Sequence, residues 1–270
     1  MQEDEIAHEK TTKRTTPRAS DYLGGESPRA RGERKRRRVL NWVYRWGYSF
    51  SEIIRQVAGQ QAKGYANGLA KKGWLVETKT ESGTPRFLYT LSKSGLQESE
   101  RLSDDLLRYP EIDPYRVNQQ QIRHYLIAQQ ATMNAMSAKA ITDFMTERQF
   151  DEGGDKPGEK RPDVVWLLPS GEKIGVEIEL SAKWDRRLNE FGFGIARALQ
   201  RTTDKPAQYQ RFAIVTDSPA IARRYEAAMQ PGVDLPIWKK NNRSHWEVEK
   251  VIQVPAWLIE RVDFQLIGDH

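Results

Sequence analysis

RPDVVWLLPSGEKIGVEIELSAK, residues 161–183, decides the fold. Val164 to Leu168 is a short apolar run, after which Ile174, Val176, Ile178 and Leu180 alternate with Lys173, Gly175, Glu177 and Glu179. Period-two alternation predicts a strand with both glutamates on one face, about 6–7 Å apart at the backbone. Pro169-Ser170-Gly171 suits a three-residue hairpin loop, with proline opening a type I turn and glycine in the left-handed position. With Leu168 and Glu172 flanking that loop, Val164 pairs with Val176 and Trp166 with Ile174 on an apolar face. Asp163 then falls opposite Glu177 on the acidic face. A two-residue Ser-Gly loop would set Asp163 opposite Ile178 and turn it away.

Clustered carboxylates repel one another unless a cation neutralises them. Mg2+ takes oxygen ligands, and a metal so held activates a nucleophile and stabilises the leaving oxygen at a phosphodiester. Asp163, Glu177 and Glu179 are therefore the candidate site. The ordinary alternative is a solvated strand face carrying surface charge.

Outward from this stretch, the chain has 270 residues and a net charge of +6. It has no cysteine, which excludes disulfides, thiolate zinc sites and a cysteine nucleophile. His8, His124, His245 and His270 are scattered, without metal-ligand spacing. His124 is read as a packing or capping residue. No apolar run approaches the ~20 residues of a membrane span. The polar start MQEDEIAHEK has no signal-peptide pattern, so a cytoplasmic location is expected.

The charge is uneven. Residues 29–97 carry 15 Lys/Arg against 4 Asp/Glu, while the remainder is mildly acidic. Such asymmetry points to a nucleic-acid-binding module joined to a domain of different purpose. Residues 1–33 lack periodicity and are expected to be disordered. A helix is predicted from Arg34 to Gly47, a second from Ser51, and a third over about 62–72. Two strand-like runs around ESGTP follow. Three helices and a hairpin resemble a winged helix-turn-helix over 34–97. Its expected partners are phosphates of double-stranded DNA, met by Arg36, Arg37, Arg38, Lys63, Lys71 and Lys72, with Lys79 and Arg86 on the wing.

Residues 98–117 read as a linker and 118–270 as a second domain, which opens with a long helical stretch over 118–148. Helices are expected near 185–201 and from Pro219, and strands at 211–216 and 246–254. Trp184, Trp238, Trp246 and Trp257 are read as core or interface. Tyr209 is one of ten tyrosines and is not assigned a nucleophilic role.

Pro162-Asp163 followed by Glu177-x-Glu179 resembles the PD-(D/E)xK restriction-endonuclease-like fold. The resemblance implies a mixed α/β core in which Asp163 and Glu177 bind Mg2+ or Mn2+. It also implies an acid at Glu147, near the end of the preceding helix, and an early strand that the sequence does not reveal. Glu179 stands where the family usually has lysine, and Lys183 would supply a displaced ammonium. A winged helix, then IRHYLIAQQ, then RPD and VEIELSAK, is similar to replication-relaxation proteins and MobC-type plasmid relaxases over about residues 34–216. That implies a strand-nicking enzyme at a specific origin site on a plasmid or mobile element, working with an accessory mobilisation protein and a coupling ATPase. The alternative is a winged-helix replication or transcription regulator with an inactive nuclease-like domain.

Overall fold

A computed structural model describes residues 24–108, 110–150, 160–202 and 206–268. It is a mixed α/β chain with eight α-helices and ten strands among those residues. Helix α1 (Pro28–Trp46) is started by Ser27, whose side chain accepts from the Ala30 amide, and by Pro28 at its first position. Gly47, at φ 85°, ends it and donates to the Val43 carbonyl. The expected disorder of residues 1–33 is thus corrected for 28–33, which are helical; residues 1–23 lie outside the described residues.

After α1 come β1 (Tyr48–Phe50), α2 (Ser51–Val57), α3 (Tyr65–Lys71), β2 (Leu75–Lys79), β3 (Phe87–Leu91) and α4 (Lys93–Leu102). The strands form an antiparallel sheet in the order β1-β3-β2. α4 occupies the start of the stretch expected as linker. Val39, Leu40 and Val43 pack with Ile54, Leu69, Leu75 and Tyr89 in a local core.

Two other residues of α1 face the opposite way. Trp42 and Trp46 enter a second core with Phe144, Val164, Trp166, Val176 and Ile178. Each fully buried large side chain is worth roughly 1.5–3 kcal/mol, so the two halves are joined by core rather than by a tether alone. Buried Gln129 accepts from Trp42 Nε1 at 2.9 Å and Ser49 Oγ at 2.6 Å, and donates to the Tyr48 carbonyl at 2.9 Å.

Gln129 belongs to α5 (Ile122–Ser137). The helical reading beyond Ser137 is corrected: the chain turns and forms β4 (Asp143–Thr146), then a 3-10 turn at Glu147–Gln149. The sequence did not reveal β4. β5 (Val164–Leu167) and β6 (Lys173–Ile178) pair antiparallel, with Val164 opposite Val176 and Trp166 opposite Ile174. Gly171, at φ 85°, takes the left-handed position in the intervening turn, and its amide donates to the Leu168 carbonyl. The remaining elements are α6 (Asp185–Leu199), β7 (Arg211–Thr216), α7 (Pro219–Ala228), β8 (Asp234–Lys240), β9 (Trp246–Gln253), α8 (Ala256–Ile259) and β10 (Val262–Leu266).

The central sheet has the order β10-β7-β6-β5-β4. β7 runs parallel to β6 and β10, while β4, β5 and β6 are antiparallel, so the sheet is mixed. Both faces are covered. Val164, Trp166 and Val176 meet α5 and the α1 tryptophans; Val165, Phe212 and Ile214 meet Phe191 and Ile195 of α6 and Tyr225 of α7. No helix among the described residues is long and apolar enough to cross a membrane.

Candidate functional site

Glu177 lies in β6 beside β7, and Glu179 just past the strand's end, with its amide donating to the Val215 carbonyl at 2.8 Å. Their alternation puts both on the face covered by α6 and α7, and they are only 5 % and 4 % exposed. The solvated-face alternative therefore does not hold. Carboxylates this deep are costly without partners, and each is paired with a lysine. Lys160 Nζ lies 2.8 Å from Glu177 Oε2. Lys183 Nζ contacts Glu179 Oε1, and Tyr225 Oη donates to Glu179 Oε2 at 2.9 Å. Both ammonium groups stand over the Phe191 ring, 5.1 Å from its centroid for Lys160 and 4.7 Å for Lys183.

One oxygen is left over. Glu177 Oε1 is buried without a hydrogen-bond partner among the described residues. Burial pushes the Glu177 pKa up to about 7; Lys160 opposes that rise, and the charges of Asp163 and Glu179 add to it.

Asp163 precedes β5 and is held by β6: its amide donates to the Val176 carbonyl at 3.0 Å, and its Oδ2 accepts from the Ile178 amide at 2.7 Å. The same oxygen lies 3.2 Å from His124 Nε2 on α5. Burial works to lower the His124 pKa, but the hydrogen bond and charge of Asp163, with Glu147 and Glu179 beyond, outweigh it and raise the net value. Tyr125, the next residue on α5, donates its hydroxyl to Glu147 Oε1. His124, Tyr125, Glu147 and Asp163 line one small cleft with Trp46.

Glu177, Glu179 and Lys183 thus lie together at the end of β6, while Asp163, before β5, has its carboxylate on the Ile178 amide and on His124 of α5. Glu147 stands across the cleft from Asp163, in the 3-10 turn after β4 rather than at a helix end. Among the described residues, no three acidic or histidine side chains stand close enough to share one ion. Lys160, His124 and Tyr225 are additions to the sequence reading. Lys160 had a signal in its adjacency to Pro162-Asp163; Tyr225, 46 residues from Glu179, had none.

The eight basic residues expected at phosphates occupy different places. Arg36 Cζ is 4.6 Å from the Trp74 ring centroid, and its Nη2 is 3.9 Å from Glu98, so it packs within the N-terminal unit. Lys63 and Lys72 line an open groove between α1 and α3. Lys71, Lys79 and Arg86 are exposed. Arg37 and Arg38 face a larger groove of about 1440 Å³ whose wall also includes Lys160, Arg161 and Glu147. Lys160 joins that groove to Glu177.

No family model, curated protein or solved structure matches this chain.

Proposed function

We propose that the chain is a metal-dependent DNA endonuclease that nicks one strand at a transfer origin of a plasmid or mobile element. In this reading residues 28–102 are a winged-helix DNA-binding unit and the five-stranded sheet is a restriction-endonuclease-like core. The observation that carries it is the orphaned Oε1 of buried Glu177, whose other oxygen is paired with Lys160, a residue that lines a groove together with Arg37, Arg38 and Arg161. An unpartnered acidic oxygen in a dry place fits a hard cation. Asp163 and Glu177 would hold Mg2+ or Mn2+, with Glu147 as a further acid across the cleft. Such an ion supplies Lewis-acid activation at a phosphodiester.

The chain's own groups divide the remaining work. His124 fixes the orientation of Asp163 through Oδ2. Lys160 and Lys183 carry the positive charge that meets a phosphate. Glu179 Oε1, shared with Lys183 Nζ, receives the proton of the attacking nucleophile, while Tyr225 holds the other oxygen in place.

A second reading is a DNA-binding replication or transcription regulator whose nuclease-like core is inactive. It is favoured by the two lysines, which neutralise Glu177 and Glu179 without any cation. Supercoiled plasmid carrying the chain's native flanking DNA separates the two. Conversion to open circles in Mg2+ or Mn2+ by wild type but not by Glu177→Gln supports nicking. Intact plasmid with a retained gel shift supports the regulator.

A further inference from the structure

Trp184 follows the lysine that pairs with Glu179, and it is 60 % exposed although it is the largest kind of apolar side chain. Its setting is built. Arg224 Cζ stands 3.3 Å from the indole centroid, and Arg224 Nε donates to the Lys183 carbonyl at 2.9 Å, so the guanidinium is anchored to the ring's own backbone segment. A second arrangement of this kind begins two residues on. Arg186 Cζ is 4.1 Å from the ring centroid of Trp246, which is 43 % exposed, and Lys240 Nζ is 5.3 Å from the same ring. Arg186 is also tied to Glu190 at 2.5 Å. The β8–β9 ribbon carries Trp246 at its edge, and residues Trp246–Lys250 are exposed throughout.

We propose that Trp184 and the Arg186–Trp246 pair form a stacking platform for the unpaired bases of a single-stranded nucleic acid passing beside Glu179 and Lys183. Exposed indoles backed by cations suit this ligand: each base offers a π-face, and the neighbouring guanidinium and ammonium groups neutralise phosphates. Bases inside a duplex are already stacked on one another and leave no face for Trp184. The inference rests on the proposed nicking site for its biological sense, since a nick needs one strand presented at the acids; binding itself requires neither metal nor cleavage.

The test uses the full chain in EDTA with fluorescein-labelled hexathymidylate, and with a blunt hairpin duplex as comparison. Trp184→Ala is expected to weaken hexathymidylate binding about ten-fold, with Trp184→Phe restoring it to within about three-fold. The tryptophan quench on binding should shrink in Trp184→Phe, and the blunt duplex should bind Trp184→Ala and wild type equally. Unchanged hexathymidylate affinity in Trp184→Ala, or no binding of the oligonucleotide by wild type, overturns the platform. So does a Trp184 quench that appears only as chain concentration rises without oligonucleotide, which would assign the surface to a second copy. A chain that binds hexathymidylate through Trp184 yet never nicks plasmid keeps the platform and loses the nuclease. One that nicks while Trp184→Ala binds normally does the reverse.

Discussion

Lys160 Nζ lies 2.8 Å from Glu177 Oε2, while the other oxygen of the same buried carboxylate has no partner. Burial, only partly opposed by Lys160, pushes the Glu177 pKa up to about 7. The folded value exceeds the ordinary 4.5, so the folded chain binds the proton more tightly than the unfolded one. This group's stabilising contribution is full below the unfolded value and is lost as pH rises to the folded value. The metal-free protein should lose about 3 kcal/mol from it between about pH 4.5 and pH 7. Urea unfolding in EDTA checks this: Glu177→Gln should gain on wild type at about pH 8 and show a flatter profile. An unchanged profile in the variant would contradict the burial.

Gln129 is the polar lock between the N-terminal unit and the sheet. Gln129→Leu keeps the volume but strips partners from Trp42, Ser49 and the Tyr48 carbonyl. The expected loss is about 3 kcal/mol, since each orphaned buried group costs roughly 1–3. Chemical denaturation with one probe in each half should show both halves losing stability together. A loss confined to one half would mean that the interface is not shared core.

Gly175 sits in the middle of β6, where a Cβ would come within 2.6 Å of the buried Phe212 ring. Gly175→Ala forces that ring to shift, and overpacking of this kind costs about 1–3 kcal/mol. The strand also carries Glu177, so any nicking should fall in the same variant. Thermal unfolding that matches wild type would contradict the close approach.

The basic residues of the N-terminal unit should separate by role. Lys63→Ala and Lys72→Ala should each reduce the salt slope of DNA binding by about one while leaving stability alone. Arg36→Met should instead lower stability, because Arg36 is packed against Trp74 and Glu98. Gel shifts across a salt series, paired with melting curves, would read both effects.

The β5–β6 hairpin was legible from Asp163 to Glu179 because turn chemistry and alternation agree there, and the pairing of Val164 with Val176 follows that register. β4 was not. Ile141, Phe144 and Met145 fit a helical face as well as a four-residue strand, and only pairing with β5 decides between them. Nor could alternation reveal that the glutamate face is buried, since α6 and α7 arrive from later in the chain. His124 and Tyr225 reach the acids by tertiary contact, with no spacing to announce them. Nor does periodicity alone reveal that α1 has two buried faces, one for its own unit and one, carrying Trp42 and Trp46, for the sheet.

The central claim, that Asp163 and Glu177 hold a divalent cation, is tested most directly by Mn2+ titration followed by electron paramagnetic resonance, with and without duplex DNA. The account predicts bound Mn2+ in wild type and its loss in both Glu177→Gln and Asp163→Asn. Equal binding in all three proteins, or none in wild type even with DNA present, would contradict it.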